Sequence, residues 1–163
     1  MEAVKRQKRT VGAIVKIPLQ KGYHTYGRIL KSGMAFYDLK SKSEDDLQFI
    51  ISKPILFVTG VSHSALTKGI WLKVGVLPLE EDLLKFFPQY IQDPINQNHF
   101  RILLGNGIEK EATLEECFGL ERFASWTAEG IEKRLNDYFF GKNSFGEKTI
   151  PFPERTIEKI NII

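Results

Sequence analysis

Hydrophobic positions near the start of the chain recur every second residue. Val11, Ala13, Val15 and Ile17 alternate with Gly12, Ile14 and Lys16, the spacing of a strand with one buried face. Pro18 and Lys21-Gly22 interrupt the pattern and Tyr23 to Leu30 resumes it, which predicts a hairpin. Ser32-Gly33 gives a further turn before Met34 to Leu39, so three strands should follow one another as a meander. Lys40 to Gln48 is polar and acidic and reads as a loop. Ile55-Leu56-Phe57-Val58, behind Pro54, is a continuous apolar run that suits a central strand covered on both faces. Trp71 to Leu77 alternates again.

The second half mixes helical and strand signals. Leu79, Leu83 and Phe87 share one helical face. Pro78 stands near the first turn, Glu80, Glu81 and Asp82 complement the dipole, and Pro88 ends the run. Asn106-Gly107 lies between Phe100-Arg101-Ile102-Leu103-Leu104 and Ile108-Glu109-Lys110, where a type I′ turn needs positive φ at both central residues. Thr113-Leu114-Glu115-Glu116 has the capping-box pattern. Thr127 can cap a last helix that carries Ile131, Leu135, Tyr138 and Phe139 on one side and stops at Gly141. These elements predict a mainly β, β-rich α+β fold with two or three short helices. A small, strongly bent antiparallel sheet or an SH3-like barrel fits them better than a sandwich. They divide the chain into a basic arm at 1–9, one domain at 10–141 and an extended tail at 142–163.

Composition narrows the class. With 163 residues, 42% apolar and including 12 Phe, the chain can bury a real core without staples. The single cysteine, Cys117, permits no intrachain disulfide and points to a reducing compartment. No apolar h-region follows the basic start, and no apolar run approaches the ~18 residues that span a bilayer, so a cytoplasmic protein with no membrane partner is expected. The net charge of +3 hides an asymmetry. Lys5, Arg6, Lys8, Arg9, Lys16, Lys21, Arg28 and Lys31 stand against Glu2 alone in the first 31 residues, whereas acidic groups such as Glu44-Asp45-Asp46 come later. The basic arm reads first as a solvated tail and second as a nucleic-acid contact.

Several stretches, in this order, resemble the immunity protein 26 family of bacterial polymorphic toxin systems. They are Val11 to Leu19, Gly22 to Leu30, Ala35-Phe36-Tyr37-Asp38, Lys53 to Phe57, Pro78-Leu79-Glu80, Gln92-Asp93-Pro94, Glu115 to Glu121 and Arg134 to Phe139. The resemblance runs from about residue 9 to about residue 142. It implies a β-rich domain, encoded beside a secreted toxin, that binds the toxin and protects the producing cell. It supplies no catalytic motif, although some related chains carry a small phosphotriesterase label, which keeps a metal-dependent hydrolase as an alternative.

The residues offer little to that alternative. Metal-assisted hydrolysis needs convergent His and carboxylate ligands, and His24, His63 and His99 are far apart in sequence, so a site would have to be assembled in space with Asp38 and Asp93. Cys117 lies among Leu114, Phe118 and Leu120 and reads as a buried thiol. Neither a Gly-x-Ser-x-Gly elbow nor a phosphate-binding glycine loop is present. No enzyme and no cofactor are therefore expected. Partner contacts are expected from aromatic and charged residues. If the Ile29 face of the second strand is core, His24, Tyr26 and Arg28 point outward. Glu44, Asp45 and Asp46 form an acidic loop, and Arg101 alternates with apolar neighbours; Trp71, Tyr90 and Trp126 are further aromatic candidates. A small barrel that binds nucleic acid through Arg6, Lys8, Arg9, Tyr23, Tyr26 and Arg28 is the other alternative. The oligomeric state is left open.

Overall fold

A computed structural model of the protein describes residues 6–141. In chain order its strands are β1 (Ala13–Pro18), β2 (His24–Ile29), β3 (Met34–Tyr37), β4 (Ile55–Val61), β5 (Leu72–Val76), β6 (Gln89–Gln92), β7 (Phe100–Gly105), β8 (Ile108–Ala112), β9 (Glu121–Arg122) and β10 (Ser125–Trp126). The helices are α1 (Leu47–Ile51), α2 (Ser64–Thr67), α3 (Leu114–Cys117) and α4 (Ala128–Phe140). The span expected as one domain falls into two compact units. One holds residues 6–84 and 125–141, the other residues 85–124. The expected tail at 142–163 lies outside the described residues.

The first unit is built on a six-stranded sheet of order β10-β4-β3-β2-β1-β5. β1 to β3 form the expected three-strand meander, β4 continues it antiparallel to β3, β5 runs antiparallel to β1, and β10 lies parallel to β4. Among the described residues the sheet has two free ends, so no SH3-like barrel closes there and an open sheet takes its place. One face packs Ala13, Val15, Ile17, Ile29 and Phe36 against Trp71 and against Ile131 and Leu135 of α4. The other packs Ile14, Tyr26 and Tyr37 against Ile50 and Leu47 of α1, with Leu77. Both faces of the central strands are therefore covered, and every residue of β2 is buried. The alternation in β1 suggested one buried face, yet Ile14 is as buried as Val15.

The cover on the second face comes from α1, which grows from the end of the stretch read as a loop. Asp46 precedes it in an extended conformation without a side-chain cap bond, so neither a cap nor a long apolar stripe announced this short helix. β4 is an inner strand, as expected from its apolar run, but Thr59 is its one fully buried residue. The helix expected over 79–87 is replaced by a single 3-10 turn at Glu81–Leu83. The carbonyls of Leu77 and Pro78, which would open such a helix, instead accept hydrogen bonds from Arg28. Of the expected face Leu79, Leu83 and Phe87 only Leu83 is fully buried, and one buried residue is little return for nucleating a longer helix.

The second unit is a four-stranded sheet of order β8-β7-β6-β9. Tyr90, Phe100, Ile102 and Cys117 form its small core. The hairpin forms as predicted, with φ of 52° at Asn106 and 74° at Gly107, the two left-handed residues of a type I′ turn. Thr113 and Glu116 complete the capping box of α3. In the first unit Thr127 caps α4 through Gly130 N–H, and left-handed Gly141 ends it. Among the described residues no helix is long and apolar enough to cross a membrane.

Gly12 is the tightest backbone position, with φ of 91° and an added Cβ falling 2.3 Å from the Leu77 carbonyl oxygen. Gly12→Ala should therefore cost about 3 kcal/mol or more, from backbone strain and overlap together. Gly107→Ala also has positive φ but meets nothing within 4 Å, and should cost only about 1–2 kcal/mol. Urea denaturation of both variants checks the contrast, and equal losses would show that the Leu77 carbonyl yields to a methyl group.

Candidate functional site

The polar residues of β2 converge on the second face of the first sheet. Arg28 is completely buried there. Its Nε donates to the Gly12 carbonyl at 2.8 Å, and Nη1 donates to the Tyr37 hydroxyl at 3.1 Å and to the Glu80 carboxylate at 3.2 Å. Nη2 donates to the carbonyls of Leu77 at 2.9 Å and Pro78 at 3.0 Å. A guanidinium offers five N–H donors, and here each one finds an acceptor. Glu80 keeps 42% of its side chain in water, so the buried charge is held mainly by fixed dipoles and only partly by its counterion. Burial pushes the Tyr37 phenol up, against the pull of Arg28.

His24 and Tyr26 sit farther along the same strand face. The Tyr26 hydroxyl lies 3.0 Å from His24 Nε2 and donates to Asp45 Oδ2 at 3.0 Å, while His24 Nε2 is 3.6 Å from that oxygen. The Ser41 and His24 backbones exchange both hydrogen bonds, which ties the 41–45 loop to the start of β2. Burial, then the hydrogen bond to Asp45 and its charge, push the Tyr26 phenol up to about 12. Burial alone would raise the Asp45 carboxyl, but hydrogen bonds from Ser41, Tyr26 and His24 outweigh it and hold the group below its ordinary value. Tyr26 thus stays a donor and Asp45 an acceptor across neutral pH.

The structure therefore brings His24, Tyr26 and Asp45 together and sets Arg28 on the same face, but it buries them. The outward presentation expected of His24, Tyr26 and Arg28 is corrected: the Ile29 side is core as anticipated, and α1 with the 77–80 segment covers the opposite side as well. Asp45 turns inward, whereas Glu44 and Asp46 beside it stay exposed. Arg101 belongs to the second unit, half-exposed on β7 and paired with Glu109 of β8. Trp71 and Tyr90 are core residues, and Trp126 packs half-buried against α4 and its neighbours. Cys117 is buried, which raises its thiol. His63 is exposed before α2, and His99 lies beside Asp93 and Glu111 at the surface of the second unit. Among the described residues no three His, Cys, Asp or Glu side chains gather as a metal site would require. The described part of the basic arm is anchored to the fold: the Gln7 amide bonds Leu66 O, Trp71 O and Lys73 N, and Arg9 donates to Leu30 O and Gly33 O.

Sequence reasoning missed a surface feature at the His24 end of β2. A groove of about 460 Å³ is lined by Lys16, Leu19, Tyr23, His24, Ile70 and Leu72, among others. Beside it, Lys40 and Lys42 lie over the Tyr23 ring at 4.9 and 4.5 Å, and Lys21 and Lys40 lie over Phe140 at 5.2 and 5.0 Å. Phe140 in turn packs edge-on against Tyr23. Ile70 and Leu72 flank the buried Trp71 in an alternating run that reads as core, and Lys21 lies about twenty residues before Lys40 and Lys42 in sequence. Only the fold shows that these residues meet.

A family model described as Immunity protein 26 matches residues 10–101. No curated protein and no solved structure is significantly similar to the chain.

Two outcomes follow from the buried polar face. Arg28→Met strands the carbonyls of Gly12, Leu77 and Pro78 and should cost at least about 3 kcal/mol. Arg28→Lys, with fewer donors, should fall between, and Glu80→Gln should stay within about 1 kcal/mol because the Glu80 side chain is itself nearly half in water. Chemical denaturation ranks the three, and a Glu80→Gln loss equal to that of Arg28→Met would overturn the assignment to backbone acceptors. The lowered Asp45 carboxyl makes a contribution to stability that is complete above its ordinary value of 3.8. That contribution drains away as pH falls through the lower folded value. Unfolding free energies measured from pH 6 downward should show this acid loss, and Asp45→Asn should remove its share of the slope.

Proposed function

The chain belongs to the immunity protein 26 family, and on that premise we propose that it protects the cell making it by binding a cognate toxin domain in the cytoplasm and blocking it, without catalytic turnover. The family match over residues 10–101 carries the immunity reading. The polar face of the first sheet supports the mode of action. Arg28 has its donors engaged by the fold itself, and Tyr26 and Asp45 are bonded to each other. Groups used in this way hold a surface in shape; they are not poised to take a proton from a ligand.

A binder gains affinity when its contact surface is ordered before the partner arrives. The bonds from β2 supply that order. His24 and Tyr26 fix the 41–45 loop, and Arg28 fixes the 77–80 segment. Within this reading His24, Tyr26, Asp45 and Arg28 are positioning residues, while Glu44, Asp46 and Arg101 are groups a partner can reach.

Titration separates blocking from catalysis. Increasing amounts of the chain are added to a fixed amount of the toxin domain encoded beside it, and residual toxin activity is followed. A binder should abolish activity at a fixed stoichiometric ratio and leave a complex that survives gel filtration. Neutralisation by strongly sub-stoichiometric amounts would overturn the blocking mode. Failure to protect cells on co-expression, with both proteins folded, would overturn the immunity reading itself.

A further inference from the structure

Tyr23 belongs to two surface features at once. Its ring helps line the groove between the end of β1, the start of β2 and the approach to β5. It is also flanked by Lys40 and Lys42 and packed against Phe140, over which Lys21 and Lys40 lie. Lys21, Lys40 and Lys42 are exposed, and among the described residues no carboxylate lies within ion-pair distance of them. Lys16, at the groove wall, is likewise without one. Like charges gathered on one surface without counterions repel one another, and an anionic partner relieves that repulsion.

The groove adds a different chemistry. Its walls include Ile70 and Leu72, which leave 46% and 56% of their surface in water. Two large aliphatic side chains on the wall of a concave site, bordered by charge, have the make-up of an interface core with a polar rim. From these observations we propose that this surface is where the toxin docks, and that the toxin brings an apolar side chain into the groove with carboxylates on either side of it. The identity of the partner rests on the immunity reading above; the chemistry of its contact rests on the groove and the lysines.

A nucleic acid would also meet the charge requirement, but the surface suits it less. Both the Tyr23 and Phe140 rings are already occupied by ammonium groups and by each other, so neither offers a free face on which a base can stack. The groove carries the aliphatic side chains of Leu19, Ile70 and Leu72 on its walls, a match for a protein side chain.

The test uses the full chain and the toxin domain encoded beside it. Association is measured at low and moderate salt for the wild type, for K21E/K40E/K42E and for I70N/L72N, each checked for folding by circular dichroism and urea denaturation. The lysine variant should bind at least about tenfold more weakly at low salt and lose most of the salt dependence of the on-rate. The groove variant should weaken binding chiefly through faster dissociation. If the wild type binds and both variants bind within twofold of it, the proposed surface is wrong and the immunity reading stands. If the wild type does not bind the toxin, the immunity reading fails, and a peptide probe still decides the chemistry. A labelled peptide carrying one phenylalanine between pairs of glutamates should bind the wild type in preference to the same peptide with lysines, and should lose binding to both variants. Equal binding of the two peptides would overturn the proposal. So would salt-dependent binding of a mixed-sequence oligonucleotide that the lysine variant abolishes.

Discussion

A guanidinium cannot be taken out of water unless its donors are met, and Arg28 imposes that condition on the first unit. Its acceptors come from distant parts of the chain: Gly12 just before β1, Tyr37 at the end of β3, and Leu77, Pro78 and Glu80 beyond β5. Desolvating such an ion costs several kcal/mol, which only near-complete coordination offsets. The backbone has to come to the side chain. Gly12 adopts a left-handed conformation with its carbonyl aimed at Nε, and the segment after β5 forms no regular element, its two successive carbonyls reaching Nη2. A lysine could hold the charge but not that many directed bonds.

This coordination closes one end of the second sheet face, and the His24–Tyr26–Asp45 group closes the other. Between them Ile14, Tyr26, Tyr37 and Ile50 make an apolar layer. Polar residues on a strand usually mark its wet side, but here they are the means by which loops are fastened over a sheet that is covered on both sides. The bonds that satisfy buried polar atoms are the same bonds that set the 41–45 loop and the 77–80 segment in place.

That double duty explains which parts of the fold could be read from the sequence. Elements announced by local chemistry formed as expected: the Asn106-Gly107 turn, the Thr113 capping box, and the α4 helix between Thr127 and Gly141. In each, a short stretch of chain carries both the signal and the bond. α1 and the two-residue strands β9 and β10 carry no such signal, since they are stabilised by surfaces supplied from elsewhere in the chain. The helix expected over 79–87 had a good local pattern and lost to a non-local competitor, the Arg28 side chain. The grouping of His24, Tyr26 and Arg28 on one strand face was legible. The direction of that face was not, because period-two alternation separates two sides without saying whether the polar one is covered. The acidic loop was legible as a unit, but Asp45 and its exposed neighbours Glu44 and Asp46 have opposite fates, decided by the reach of the Tyr26 hydroxyl.

The separation of roles has a consequence for recognition. Residues that fix the surface are buried and bonded several times over, so a change in any of them disturbs the fold before it alters a contact. Lys21, Lys40, Lys42, Ile70 and Leu72 lie outside that network and contribute little to the core. Exposed charges of this kind can be exchanged at a cost near zero. A scaffold arranged in this way can change what it binds while keeping how it folds. Under the toxin-binding role proposed above, that freedom at the surface is what matching a particular partner requires, and the rigid polar layer beneath makes it possible.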